Sequence, residues 1–299
     1  MTDSDPRITP PVHVTGPRGP WRQVREGMET RGNATVCTTW GEWLPTLVGA
    51  PGLRALLGRD WQRYRRTPDP VVRTRFAAAR LAVKYTAAAA LALDPGDIDL
   101  AYRLGGRPYL RGFDQIDVSL THTDELIAVG ISRLGRIGVD TEPARRRMSF
   151  DLMQDHVCTF DEKQELAALP EQEQSAAMLR LWTLKEAYTK AIGQGLRLSF
   201  TEFGFGVGSP ALLAPDGRPA ARGEWAFGTW PTLGRYLVSI ACHDCGLDPS
   251  RDTRVETMLD DGFLGAVAEL VALEQQSQPL GDRWTSAGEN GETPTTPLP

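Results

Sequence analysis

The sequence predicts an α+β fold made of two pseudo-symmetric α/β subdomains, and three observations carry that expectation. Short alternating apolar runs bracket long helical stretches, so neither element type dominates. The order strand, helix, helix, strand occurs twice along the 299 residues. The composition, 41% apolar and 24% charged, is that of a globular chain long enough to bury a sizeable core.

Residues 1–32 are rich in Pro, Gly, Thr and charge without apolar periodicity, which predicts a flexible leader. An N-terminal subdomain is expected over 33–116. It opens with the strand-like "ATVCTTW" and continues through helical stretches around "LRALLGRDWQRYRR" and "RTRFAAARLAVKYTAAAALAL". It closes with "DIDLAYRLGGRPYL", an alternating segment interrupted by Gly-Gly, as in a hairpin.

A C-terminal subdomain is expected over 117–249. "DVSLTHTDELIAVGIS" and "RIGVDTE" are alternating runs separated by "RLG". "TFDE" from Thr159 is a capping box, in which the threonine oxygen and the glutamate three residues on satisfy the first amide groups of a helix. "LWTLKEAYTKAIGQGL" (181–196) is a helix closed by Gly193 as a left-handed cap. "EFGFGV", "GEWAFGTW" and "RYLVSIAC" then predict an antiparallel meander. Residues 250–299 are expected to form a helix ("VETMLDDGFLGAVAELVALEQQ", 255–276) followed by a disordered tail.

The formal net charge of −5 gives no whole-molecule attraction to nucleic acid or to an anionic membrane. No apolar run approaches a membrane span and no apolar leader is present, which predicts a cytoplasmic chain. Four scattered cysteines make no disulfide framework. "CHDC" (242–245) lacks a second ligand pair and reads as a strand end and turn.

The chemistry concentrates in the second half. Asp140 and Glu142 stand at i and i+2 in "IGVDTE", so on a strand both side chains leave one face. Glu186 and Lys190 stand one helical turn apart, on the side of Trp182. Alone, a D-x-E pair or an i,i+4 ion pair is ordinary surface chemistry. Converging, Asp140, Glu142 and Glu186 form a hard-oxygen site suited to Mg²⁺, while four scattered histidines argue against a dedicated zinc site. His122 between two threonines, and Arg107 in "GGRPYL", are suited to phosphate. Arg75 and Arg80 fit either a phosphate site or a solvated helix face. The combination points to phosphoryl transfer.

"GRP", "VSLTHT", "IGVDTE" and "WTLKEAYTKAIGQGL", in this order and at these separations, resemble the Sfp-type 4′-phosphopantetheinyl transferases. The usual signatures of that family are G-[KR]-P, S-H-S, G-[IV]-D-x-E and W-x-x-K-E-[AS]-x-x-K-x-x-G-x-G-[LFM]. The last two match at every specified position, and the resemblance covers roughly residues 34–245. "THT" replaces "SHS", keeping a hydroxyl before the histidine. The lysines that some relatives carry early in the first half have no clear counterpart, unless "GRDWQRYRR" (58–66) supplies substitutes.

The resemblance implies the two-subdomain fold of that family and transfer of the 4′-phosphopantetheine arm of coenzyme A to a serine of an acyl or peptidyl carrier protein, releasing 3′,5′-ADP. It implies Mg²⁺ on Asp140, Glu142 and Glu186, with Lys190 on the phosphates. Thr121 and His122 would contact the nucleotide's phosphates, with Arg107 near the adenine and 3′-phosphate end. Arg75 would belong to the nucleotide pocket, and Lys185 would face phosphate or carrier. Either Glu186 or a metal-bound water would take the serine proton. The carriers would be those of polyketide, peptide or fatty-acid synthases, meeting residues 148–160 and the 181–196 helix of a monomer. The alternatives are a non-catalytic homologue that binds coenzyme A or a carrier, and a Mg²⁺-dependent phosphohydrolase.

Overall fold

The computed structural model describes residues 4–49, 52–103, 105–206 and 210–244. Strand β1 (Val12–His13) is followed by helix α1 (Arg22–Arg31) and strand β2 (Asn33–Thr39), which pairs with β1 in parallel. Three short helices, α2 (Leu44–Gly49), α3 (Leu53–Leu57) and α4 (Trp61–Arg66), lead into the 22-residue α5 (Pro70–Leu91). Asp69 caps α5: its Oδ1 accepts from the amides of Val71 at 2.8 Å and Val72 at 2.9 Å, with Pro70 at the first helical position. Its alanine face (Ala77, Ala78, Ala82, among others) is fully buried.

Strands β3 (Leu100–Tyr102) and β4 (Pro108–Leu110) form the expected hairpin, with Gly105 and Gly106 both at positive φ in its turn. Strands β5 (Asp117–Thr123) and β6 (Leu126–Ser132) form a second hairpin, which joins β2 in a sheet of order β1-β2-β6-β5.

Strand β7 (Ile137–Pro143) begins the second sheet. Helices α6 (Phe150–Val157), α7 (Phe160–Ala167) and α8 (Glu171–Ile192) follow, then the short pair β8 (Gly204–Phe205) and β9 (Leu212–Leu213). The hairpin β10 (Trp225–Thr232) and β11 (Tyr236–His243) completes a sheet of order β10-β11-β7. Thr159 forms the expected capping box with Glu162 on α7, and Gly193 closes α8 at φ 73°.

The internal repeat is therefore strand, helices ending in a 22-residue helix, then hairpin. In both copies the first strand pairs antiparallel with the last: β2 with β6, and β7 with β11. The two copies meet where β5 lies beside β7. Three alternate side chains of β5 make that seam: Asp117 accepts from the Ile137 amide at 2.8 Å, Ser119 Oγ from the Val139 amide at 3.1 Å, and Thr121 donates to Asp140 at 3.4 Å.

Two sequence expectations are corrected. A boundary at 116/117 cuts the first sheet, because the hairpin 117–132 pairs with β2; the repeats divide between β6 and β7. That apolar run also folds back on itself, turning at Asp124, a residue type that tolerates its φ of 48°. The expected leader, 1–32, is largely packed structure over its described part. The Asp5 amide donates to Phe227 O at 3.0 Å, and Arg7 donates to Trp225 O at 2.8 Å. Ile8 is buried among residues of β6, β7 and β11, while Val14, Val24 and Met28 join the core of the first repeat. The segment thus ties β10 of one repeat to β2 of the other.

The described residues belong to one compact unit, 1–247. The expected 255–276 helix, the tail and Cys245 lie outside the described residues. Cys242 is fully buried in β11. Among the described residues no helix is long and apolar enough to cross a membrane.

Candidate active site

The site forms on the seam, where α8 lies against β7. Gly138 makes that approach possible: a Cβ there would fall 1.9 Å from Ala187 O and 2.6 Å from the Ala191 amide. With the helix this close, the row Trp182, Glu186, Lys190 runs along the strand's acidic face. Lys190 Nζ lies 2.5 Å from Asp140 Oδ1 and 3.3 Å from Thr121 Oγ1. At the other end Glu142 pairs with Arg146, whose guanidinium lies 5.9 Å from the Trp182 ring centroid. Glu186 stands between: burial, then the charges of Asp140 and Glu142, raise its carboxyl above the usual range, with Lys190 opposing.

Asp140 Oδ2 is buried without a hydrogen-bond partner. An orphaned carboxylate oxygen beside a carboxyl that its neighbours resist ionising is an arrangement a hard divalent cation would relieve. As they stand, Lys190 occupies Asp140 Oδ1 and Arg146 occupies Glu142 Oε1. Among the described residues, no group of three or more His, Cys, Asp or Glu side chains is arranged to hold a metal ion.

The first repeat supplies cations. A cleft of about 580 Å³ is lined by Arg63, Arg75, Phe76, Arg80 and His122, among others. Arg75 stacks over Trp40 at 5.6 Å. Arg80 lies 4.1 Å from the Phe76 ring centroid, and its Nε is 3.5 Å from Asp60 Oδ2, which accepts from Tyr102 at 2.6 Å. His122 is held below the usual imidazole range by desolvation and by the charges of Arg80, Lys190 and Arg75. A neighbouring cleft of about 660 Å³ shares Trp40 and Arg75 and is bounded by Arg145, Arg235 and Tyr236. Asp124 and Glu125 also line both clefts and pair with Arg145 and Arg235, so the positive charge lies on the side of Arg63, Arg75 and Arg80, where apolar and aromatic walls make an environment for a phosphorylated nucleotide; the seam offers carboxylates and one ammonium.

Residues 136–241 match the sequence model of the 4′-phosphopantetheinyl transferase superfamily. Residues 136–241 thus carry a domain of that superfamily. It is 29% identical over 166 residues to the 4′-phosphopantetheinyl transferase HetI of Nostoc sp., covering 54% of this chain and 70% of the relative. It is 31% identical over 180 residues to the 4′-phosphopantetheinyl transferase pptA of Paxillus involutus, covering 53% and 66%. With the 4′-phosphopantetheinyl transferase of Bacillus subtilis it shares 25% over 138 residues, covering 45% and 60%. Across the curated relatives it matches, the chain spans from 46% to 70% of their length.

The family motifs separate in space. Thr121, Asp140 and Lys190 are in contact on the seam, and Glu186 feels the charges of Asp140 and Glu142; Arg75, Arg80 and His122 line the cleft beside them, and His122 feels the charge of Lys190. Arg107 lies apart from the His122 cleft, in a cavity of about 460 Å³ shared with Lys190, Arg103, Arg136 and Arg197. Its guanidinium donates to Asp117 at 2.5 Å, to Ile137 O at 2.8 Å and to Lys190 O. The expected ligand contact is thus engaged by protein acceptors, tying the end of α8 to β5 and β7.

Lys185 departs furthest from expectation. It is fully buried and faces neither phosphate nor a surface where a carrier could bind. A signal was present in the sequence: Met178, Leu181 and Lys185 follow i, i+3, i+7 spacing, which places the lysine on the interior stripe. The seam residues Asp117 and Ser119 were not singled out, although their alternation with Thr121 in "DVSLT" puts all three on one strand face.

Proposed function

We propose that the chain is an Sfp-type 4′-phosphopantetheinyl transferase, moving the phosphopantetheine arm of coenzyme A onto a carrier-protein serine. The observation that supports it best is an orphaned Asp140 oxygen beside Lys190 on the seam, next to a cleft of Arg75, Arg80 and His122 whose imidazole feels the charge of Lys190.

In this reading the serine Oγ attacks the β-phosphorus of coenzyme A. A new P–O bond forms on the serine, the bond from that phosphorus to the bridging oxygen breaks, and 3′,5′-ADP leaves with the oxygen. Asp140, Glu142 and Glu186 would hold Mg²⁺, which would neutralise charge gathering on the pyrophosphate. Lys190 adds a point charge to the same phosphates from the helix side. Glu186 is the candidate acceptor for the serine proton. Arg75, Arg80 and His122 hold the nucleotide end, and Thr121 offers a hydroxyl next to them.

The carrier would meet the α6–α7 region, where Leu152 is 77% and Phe160 69% exposed. The exposed Arg145, Arg146 and Arg147 precede that region and complement an acidic helix. Both repeats lie on one chain, which favours a monomer. Carriers of polyketide, peptide or fatty-acid synthesis are the substrate class.

Intact-mass analysis of purified carrier proteins tests the proposal. The expected result is a gain of one phosphopantetheine arm on serine, requiring both coenzyme A and Mg²⁺. Coenzyme A binding with no modified carrier would favour a non-catalytic binding homologue. Free phosphopantetheine released without a carrier would favour a phosphohydrolase.

A further inference from the structure

Lys185 is the most deeply buried charge in the helix that carries the site, at 0% exposure. Its ammonium donates to Glu162 Oε2 at 2.6 Å, Phe200 O at 2.7 Å, and Val157 O and Phe203 O at 2.8 Å. Three protons facing four acceptors leave nothing for a ligand. Glu162, 2% exposed, is equally committed. Its Oε2 also accepts from the Thr159 amide at 2.8 Å, and its Oε1 from the Phe205 amide at 2.7 Å. The cage therefore gathers the end of α6, the first turn of α7, the segment 200–203 and β8 around one side chain of α8.

We infer that Lys185 is a positioning residue: its cage with Glu162 fixes the rotation and axial placement of α8, and so aims Glu186 and Lys190 at β7. The geometry is direct. Consecutive helical residues diverge by about 100°, so locking Lys185 inward sets the direction of Glu186, and Lys190 follows one turn later. Arg107 on the Lys190 carbonyl and Ser239 on Thr183 Oγ1, at 2.9 Å, also hold the helix, each through a single contact rather than a cage. An apolar stripe tolerates small rotations, whereas a buried ammonium with fixed acceptors does not, because each lost contact leaves an unsatisfied group. The same cage seats the α6–α7 pair, so the exposed Leu152 and Phe160 share their anchor with the catalytic row.

The part of this inference that concerns Glu186 and Lys190 rests on the transferase reading; the cage itself does not. The test is a double-mutant cycle in the full chain: Lys185→Met, Glu162→Gln and the pair together, each read by thermal unfolding and by transfer rate per folded molecule. Lys185→Met strands a buried carboxylate and is expected to lower the unfolding midpoint by roughly 10 °C. The pair, carrying no buried charge, is expected to recover at least half of that loss and to transfer at least tenfold faster than Lys185→Met. A phosphate contact predicts the reverse: no loss of midpoint in Lys185→Met, weakened coenzyme A binding, and a double variant no faster than the single. That result overturns the inference. Should Lys185→Met fail to fold, Glu162→Gln decides, since an unchanged midpoint and transfer rate there would contradict the cage. If the wild-type chain transfers nothing to any carrier, the functional reading fails, while the unfolding cycle still judges the cage.

Discussion

The two 22-residue helices occupy equivalent places in their repeats and hold them in different ways. Helix α5 buries a sheet of alanines and sends one interior lysine, Lys84, to a single carbonyl, Leu56 O at 2.7 Å. Helix α8 buries Lys185 in a saturated cage and turns Glu186 and Lys190 onto a different face, toward β7. The first helix lies close by packing small side chains and contributes long, cleft-facing arginines, which reach a ligand without exact helix placement. The second presents a short-armed carboxylate to a strand, and that chemistry needs the helix itself held in register.

Parallel substitutions of the two lysines should separate the helices most clearly. Lys185→Met is expected to cost about 3–5 kcal/mol, because it leaves Glu162 charged, buried and unpaired. Lys84→Met should cost about 1 kcal/mol or less, as it frees one carbonyl and removes the burden of burying an ammonium. Chemical denaturation of both variants checks this; equal losses would erase the distinction.

Gly138→Ala probes the same contact from the strand. The added methyl meets the backbone of α8, so about 3 kcal/mol of stability should go, together with transfer activity. The cationic cleft, lined by residues of the first repeat, should still bind nucleotide in the folded fraction, measurable by calorimetry. Asp140→Ala should leave the unfolding midpoint near wild type and lower transfer about 10²–10³-fold, a loss visible in carrier mass spectra. Near-normal transfer would remove Asp140 from the metal assignment.

The pH response belongs to the first repeat. His122 titrates below its unfolded value of 6.5, so it is neutral in the folded protein at pH 7. Stability from this group is present above pH 6.5 and is lost as pH falls through that value, where the unfolded chain takes up the proton first. A bound phosphate favours the charged ring, so coenzyme A affinity should rise as pH falls from 7.5 toward 6. His122→Asn should flatten that rise by a fewfold.

Smallest of all should be any effect of thiol reagents. Burial pushes Cys37 and Cys158 up to about 12, so neither should be alkylated at pH 8 until the chain unfolds.

Local features were legible in the sequence, and long-range ones were not. The Thr159 capping box, the Gly193 cap and the Gly-Gly hairpin follow from residues a few positions apart. The site row of Trp182, Glu186 and Lys190 follows from helical period alone. The place of the 117–132 hairpin depends on β2, more than 80 residues earlier, and alternation cannot report which partner a strand takes. Residues 4–31 hide their role because Ile8 and Val14 are buried one at a time among prolines and glycines, with no period to reveal them. Lys185 reads as a ligand because lysine is rarely interior; Glu162, itself a capping residue, and three distant carbonyls make its burial tolerable.

In the transferase reading, the cations of the first repeat and the α8–β7 row of the second act on one molecule. Calorimetric titration of coenzyme A into wild type, Arg75→Ala, Lys190→Met and the double variant tests it most directly. Each single change should weaken binding about tenfold and the double about a hundredfold, counted per folded molecule. If either single variant binds as wild type does, the two repeats do not share the ligand.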